Sequence, residues 1–126
     1  MIFKVGPINM KTRALLLLVF LLALYGCINS SANKSVVSVI NKSPYGIMVG
    51  SLDIGGQKFE ISTLDLNGII HFNYTPRSDC QYLIKIKFSS GKTLEKSIGY
   101  ITSGLNYDDT LMITDSDIIL EKRKVF

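Results

Sequence analysis

From Val36 onward, apolar and polar residues alternate with a period of two, the spacing that sends successive side chains to opposite faces of a β-strand. Gln81-Tyr-Leu-Ile-Lys-Ile-Lys-Phe88 shows it most clearly: Tyr82, Ile84, Ile86 and Phe88 share one face, and Lys85 and Lys87 share the other. A strand of this kind packs on one side and meets water on the other. The same parity turns Ile70, Phe72 and Tyr74 inward within 69–74. Eight strands are predicted in all, over 36–41, 47–54, 58–63, 69–74, 81–88, 93–101, 110–114 and 118–122. The segment 93–101 is apolar on both parities, as a central strand or a strand with a second contact surface would be. No stretch of ten residues carries the 3.6-residue stripe of a packed helix.

Turn formers stand between these segments: Lys42-Ser-Pro44, Gly55-Gly56, Asn67-Gly68, Ser89-Ser-Gly91 and Asp115-Ser-Asp117. Gly55-Gly56 and Asn67-Gly68 supply positive φ at little steric cost, so Ile54-Gly-Gly-Gln57 is the firmest hairpin. Short strands at regular spacing, broken by such turns, predict an all-β fold: an antiparallel sandwich of seven to eight strands, Ig-like or transthyretin-like, over 36–122. The order Asp65-Leu-Asn-Gly68, Phe72, Tyr74-Thr-Pro76, Tyr82-Leu-Ile-Lys-Ile86, Gly91 resembles transthyretin-like and carboxypeptidase-regulatory-like β-sandwiches. Those show a D-x-x-G turn, an aromatic strand, a proline loop, Y-x-I/V-x-V and a glycine turn. Arg77-Ser-Asp-Cys80 departs from the short proline-glycine turn usual there. The resemblance covers turn and core positions, so it implies architecture and carries no activity.

The first 26 residues follow a different logic. Met10-Lys-Thr-Arg13 is basic, and the twelve residues Ala14–Tyr25 carry no charge. That suits the apolar core of a secretory signal; a spanning helix needs about 20 apolar residues. Leu24-Tyr25-Gly26-Cys27 resembles the lipobox of bacterial lipoproteins, with Tyr25 the one departure at a position more often small. The resemblance implies cleavage between Gly26 and Cys27, a diacylglyceryl group on the Cys27 sulfur and an N-acyl chain on its amine. It implies no other cofactor. Two or three acyl chains anchor a protein stably where one does not. Ile28 in place of an aspartate after the cysteine implies the outer membrane in a Gram-negative cell. Residues 1–9 add nothing that a signal needs, and Met10 is the better start. Residues 27–35, small and polar after the lipidated cysteine, are expected to be a tether.

Removing this signal changes the electrostatics. The formal charge is +4, but Lys4, Lys11 and Arg13 precede Cys27, which leaves 11 of the 14 basic residues against 10 acidic ones. That balance gives no support to a nucleic-acid partner, which needs a clustered basic surface. The roughly 100 residues left can bury enough surface to fold without staples. With Cys27 lipidated, Cys80 has no partner in the chain, so this is not a disulfide scaffold.

Candidate chemistry is sparse. His71, the one histidine, lies by parity opposite Ile70, Phe72 and Tyr74, and no nucleophile or orienting partner stands at a catalytic spacing. A zinc site needs three or four ligands, so His71 is expected to be structural or superficial. Cys80 shares the parity of Tyr82 and begins the buried face, an intermolecular disulfide being the alternative. Asp108-Asp109 and Asp115-Ser-Asp117 are expected in turns, since no D-x-[DN]-x-[DN]-G loop accompanies them. No catalytic residue and no metal ligand is assigned. Tyr100, Leu105 and Tyr107 either form an exposed interface patch or close the end of the core. Lys122-Arg-Lys124 leads into a basic tail, 123–126, that could meet anionic head groups.

The expectation is therefore a membrane-anchored, periplasm-facing lipoprotein that acts as a non-catalytic protein-binding module. Small lipoproteins of this outline include immunity proteins against periplasmic toxins, inhibitors of wall-degrading enzymes and accessory pieces of secretion machines. The alternative is a structural envelope lipoprotein touching peptidoglycan, lipopolysaccharide or a secretion machine through Lys122–Lys124 and the Lys85/Lys87 face.

Overall fold

Residues 34–126 are described by a computed structural model. The expected signal segment, its Gly26–Cys27 junction, the expected lipid attachment and the expected tether as far as residue 33 lie outside the described residues. Eight strands follow one another: β1 (Ser35–Asn41), β2 (Ile47–Ile54), β3 (Gln57–Ile61), β4 (Ile69–Tyr74), β5 (Cys80–Phe88), β6 (Thr93–Ile101), β7 (Tyr107–Ile113) and β8 (Ile118–Val125). They form two four-stranded sheets in the orders β4-β1-β7-β8 and β3-β2-β5-β6, so the all-β sandwich predicted from the alternation is present. No helix among the described residues is long and apolar enough to cross a membrane.

Inward residues alternate with outward ones as the parity requires. Val37, Val39, Leu52, Ile84, Phe88 and Leu111 are fully buried between the sheets. Each such side chain contributes about 1.5–3 kcal/mol relative to exposure. Ile54-Gly55-Gly56-Gln57 is a two-residue hairpin with Ile54 opposite Gln57 and φ of 58° and 91° at the glycines. These are the signs that match the turn to strand twist. Asp53 Oδ1 accepts the Gly56 N–H at 2.8 Å. In the Asp65–Gly68 turn it is Asn67, not Gly68, that takes the positive φ, 65°.

Several sequence expectations need correction. One strand pair is parallel: β1 runs alongside β7, Val36 opposite Asp108 and Asn41 opposite Ile113. Both strands start at the same end of the sandwich, and all of β2–β6 forms the crossover between them. β6 is not central; it is the edge of its sheet. Its mixed parity comes from a bulge. Gln81 pairs with Tyr100 but Tyr82 with Ile98, so Gly99 is an extra residue, and Leu94 and Ile98 point inward before it as Ile101 does after it. Ser35 is not tether but the buried first residue of β1. Residues 123–125 are not a tail, because β8 continues through Val125.

The open sides of the sandwich are closed by side chains. Between β3 and β4, Phe59 and Phe72 stack with centroids 5.1 Å apart, and the Gln57 amide donates to Thr75 O at 2.7 Å. Between β6 and β8, Lys96 Nζ donates to Asp117 Oδ1 at 2.8 Å and to Ile118 O at 2.9 Å.

Candidate functional site

The strands give the molecule two unlike ends. β1 begins at one, which also holds the Gly55-Gly56 hairpin, the 75–79 loop, the 102–106 loop and the end of β8. This is the tether end. The connections 42–46, 62–68, 89–92 and 114–117 make up the distal end.

At the tether end a charged pair is set into the core. Asp109 lies on the inward face of β7 with Tyr107 and Leu111 and is fully buried. Its register partner on β8 is Arg123, turned inward by a bulge between Thr110 and Leu111. Arg123 grips the carboxylate with both arms of the guanidinium, Nε to Oδ1 at 2.9 Å and Nη2 to Oδ2 at 2.8 Å. This is the bidentate geometry in which arginine binds carboxylates best. Nη1 donates to Tyr100 O at 2.7 Å, and the cation sits 4.6 Å from the centroid of the Tyr107 ring. Tyr82 OH donates to Asp109 Oδ2 at 2.7 Å. That uses its only proton, so Tyr74 is the donor in the 2.6 Å bond between the two phenols. Burial is the main reason both phenols are harder to ionise than free tyrosine, and the hydrogen bond to Asp109 adds to it for Tyr82. The Asp109 carboxylate raises the pKa of the Arg123 guanidinium further. Asp109 and Arg123 are paired with each other, so the arrangement locks β5, β7 and β8 together.

The same lock fixes the surface outside it. Asp79 accepts from Tyr100 OH at 3.1 Å and from Ser103 N at 2.9 Å. These bonds, the Ser103 N–H foremost, hold its carboxyl below the usual range. Tyr107 OH accepts from Thr102 N at 2.9 Å, and Asn106 and Phe126 exchange backbone bonds at 3.3 and 3.0 Å. Tyr107 is therefore buried, 3% exposed, and closes the core, whereas Tyr100 (57%) and Leu105 (42%) stand in solvent. The three do not form one exposed patch, because β7 begins at Tyr107 rather than at residue 110. Beside Tyr100 and Leu105 lie two exposed residues not singled out from sequence, Val125 and Phe126.

The outer face of the β4-β1-β7-β8 sheet carries a second pattern, visible only once register is known. Ile69, Ile40, Met112 and Ile119 are successive cross-strand partners and form an apolar row across all four strands. Ile69 is 52% and Ile119 39% exposed. Two residues along, His71, Ser38, Thr110 and Lys122 form a polar row, and then Asn73, Val36, Asp108 and Lys124 a mixed one. The apolar row is distal and the charged side chains are nearer the tether end. His71 lies in the polar row, with Nδ1 2.7 Å from Ser38 Oγ across the strands.

The outer face of the other sheet holds a depression of about 590 Å³ lined by Val49, Ser51, Glu60, Lys85, Lys87 and Glu95 among others. Its cations are interleaved with carboxylates, Lys85 Nζ lying 3.9 Å from Glu95, so the Lys85/Lys87 face is of mixed charge. Cys80 is a partly buried free thiol. Burial, then the carboxylates of Asp53 and Asp79, make it harder to ionise, the opposite of an activated cysteine. Asp108 and Asp109 lie in a strand instead of the expected turn, while Asp115 and Asp117 lie in the 114–117 turn, as expected. Among the described residues, no three His, Cys, Asp or Glu side chains are placed to hold a metal ion.

No family model matches the chain, and no curated protein matches it. Among solved structures it is similar to the NMR structure of a protein from Eubacterium rectale. The two are 12% identical with a TM-score of 0.59, and the match covers 71% of this chain and 90% of that one. At that identity the likeness is one of fold alone.

Proposed function

We propose that this chain is a lipid-anchored lipoprotein of the bacterial envelope that works by binding another protein, with no chemistry of its own. The neutralising of a periplasmic toxin or wall-degrading enzyme is the role it suits best. The observation that carries the reading is the apolar row Ile69–Ile40–Met112–Ile119 on an otherwise polar sheet face. Apolar side chains in a line, exposed at Ile69 and Ile119 and half-buried at Ile40 and Met112, with a polar row beside them, have the make-up of a protein contact surface. Their distal placement keeps them clear of a membrane approached through Ser35. The anchor rests on the order of basic segment, apolar core and Leu24-Tyr25-Gly26-Cys27. In a Gram-negative cell, Ile28 in place of an aspartate after the cysteine supports the periplasmic face of the outer membrane. Kinship with transthyretin-like sandwiches belongs to the same reading, supported by the Asp65–Gly68, Pro76 and Gly91 positions, each of which falls between strands.

The test is to recover bound protein from detergent-solubilised envelope with the full-length lipoprotein and with its Ile69→Lys and Ile119→Lys variants. One protein should co-purify with the native chain, and its yield should fall about tenfold or more with either variant, as loss of an interface anchor implies. Both variants should keep the native thermal midpoint. Yields that the two substitutions leave unchanged would refute the row as the contact surface.

A further inference from the structure

The tether end has a character of its own. Tyr100, Leu105, Val125 and Phe126 are 57, 42, 48 and 63% exposed. They belong to one neighbourhood, because Asn106 and Phe126 are bonded backbone to backbone and Arg123 is bonded to Tyr100 O. Lys34, Arg77 and Lys124 are basic residues of the same end, and Lys124 Nζ lies 5.7 Å from the Phe126 ring centroid. Of the acids nearby, Asp109 is consumed by Arg123 and Asp79 by Tyr100 and Ser103. Asp108 faces Lys124 across the strands, and Asp53 is turned to the Gly56 N–H. Aromatic and aliphatic side chains ringed by lysine and arginine are what settle at the boundary between head groups and acyl chains. The patch is also held rigid, by the Asp109–Arg123 lock behind it and the Asp79 bonds beside it, so little conformational entropy is lost on docking.

Where the chain emerges decides the occupant. β1 starts at this end, and the eight residues from Ile28 to Ser35 span at most about 28 Å when extended. We infer that Tyr100, Leu105, Val125 and Phe126 form a membrane-docking surface that seats the sandwich upright on a bilayer containing anionic phospholipid. The inference rests on the lipid-anchor reading above, and it goes beyond that reading by fixing an orientation. The domain does not hang from its tether; it stands on its tether end and presents the Ile69–Ile119 row outward.

The sequence contains no tryptophan, so a single introduced indole reports on one place. The full lipoprotein is reconstituted into phosphatidylethanolamine–phosphatidylglycerol vesicles as three variants: Phe126→Trp and Tyr100→Trp at the tether end, and Tyr45→Trp at the distal end. With brominated acyl chains, the Phe126→Trp and Tyr100→Trp proteins should lose about half or more of their emission, as interfacial side chains do, and the Tyr45→Trp protein almost none. Equal quenching at both ends, or quenching confined to Tyr45→Trp, would overturn the orientation. The anchor is scored separately, by the mass of the peptide bearing Cys27. An acylated peptide with unquenched tether-end reporters defeats the docking surface and leaves the anchor standing. An unmodified peptide with quenched reporters does the reverse.

Discussion

The most consequential residues are Asp109, Arg123 and Tyr82, because a carboxylate with no exposure must keep all its partners. Removing one member of a buried pair strands the other, at a cost of about 3–5 kcal/mol. Arg123→Met should therefore lower the denaturant midpoint by that equivalent. The combined Asp109→Asn, Arg123→Met protein should lose less than the two singles added, since neither orphan then remains. Tyr82→Phe takes away the charge-assisted bond to Asp109, about 1.5–3 kcal/mol, together with the bond Tyr82 accepts from Tyr74. It also alters the alkaline limb. The folded Tyr82 phenol titrates above its unfolded value of 10.0, so its contribution is complete below pH 10 and is lost as the unfolded chain ionises above it. Native protein should lose stability from about pH 10 upward, and Tyr82→Phe should do so less steeply, as denaturation at pH 8 and 10.5 would show. Half of this lock was legible in the sequence. Asp109 shares its parity with Tyr107, Leu111 and Ile113, which marks it as inward. The habit of placing paired aspartates in turns obscured that signal. Arg123 faces inward only because a bulge shifts β8 by one residue, and Lys122-Arg-Lys124 gives no sign of one.

Strand boundaries were legible where turn formers mark them, for a local reason, and strand pairing was not. Gly55-Gly56, Asn67-Gly68 and Ser89-Ser-Gly91 each state in three or four residues where the chain turns. By contrast, β1 beside β7 joins residues with most of the domain between them, and no short window contains that pairing. The apolar row is hidden for the same reason, since Ile69, Ile40, Met112 and Ile119 look unrelated until register aligns them. The β6 bulge is the element-scale feature with the plainest consequence. Gly99 has φ of 76°, and a Cβ there would lie 3.0 Å from Tyr82 Cδ2 and 3.4 Å from Arg123 Nη2. Both the backbone and the space exclude a side chain. Gly99→Ala should cost about 1–3 kcal/mol, seen as a lower thermal midpoint together with a changed tyrosine near-ultraviolet signal. Gly56→Asn is the matched comparison: φ there is 91°, nothing lies within 4 Å, and asparagine tolerates the left-handed region. It should cost only a fraction as much.

At the scale of the whole molecule, two sheets held by an apolar core are fastened at both ends by exposed carboxylates. Asp79 ties the 75–79 loop to the 102–106 loop at the tether end, and Asp117 ties β6 to the start of β8 at the distal end. Both have folded pKa values below 3.8: Asp79 through the Ser103 N–H and then Tyr100 OH, Asp117 through the Lys96 ammonium and then the Ile118 N–H. A depressed carboxylate contributes its stability above the unfolded pKa and loses it as pH falls through the lower, folded value. Stability should therefore be level from neutral pH to about 4 and decline below it. Asp79→Asn and Asp117→Asn should each be mildly destabilising at pH 7 and shrink the gap between denaturation midpoints at pH 7 and pH 3. The two ends also predict different readouts. Asp79→Asn frees the loop bearing Leu105, so loop amides 102–106 should exchange faster with solvent while the 114–117 turn keeps its protection. Asp117→Asn should do the opposite. If either substitution loosened both ends alike, the sandwich would be one cooperative unit with no separable ends, and a membrane-facing base and a partner-facing crown could not be tuned independently.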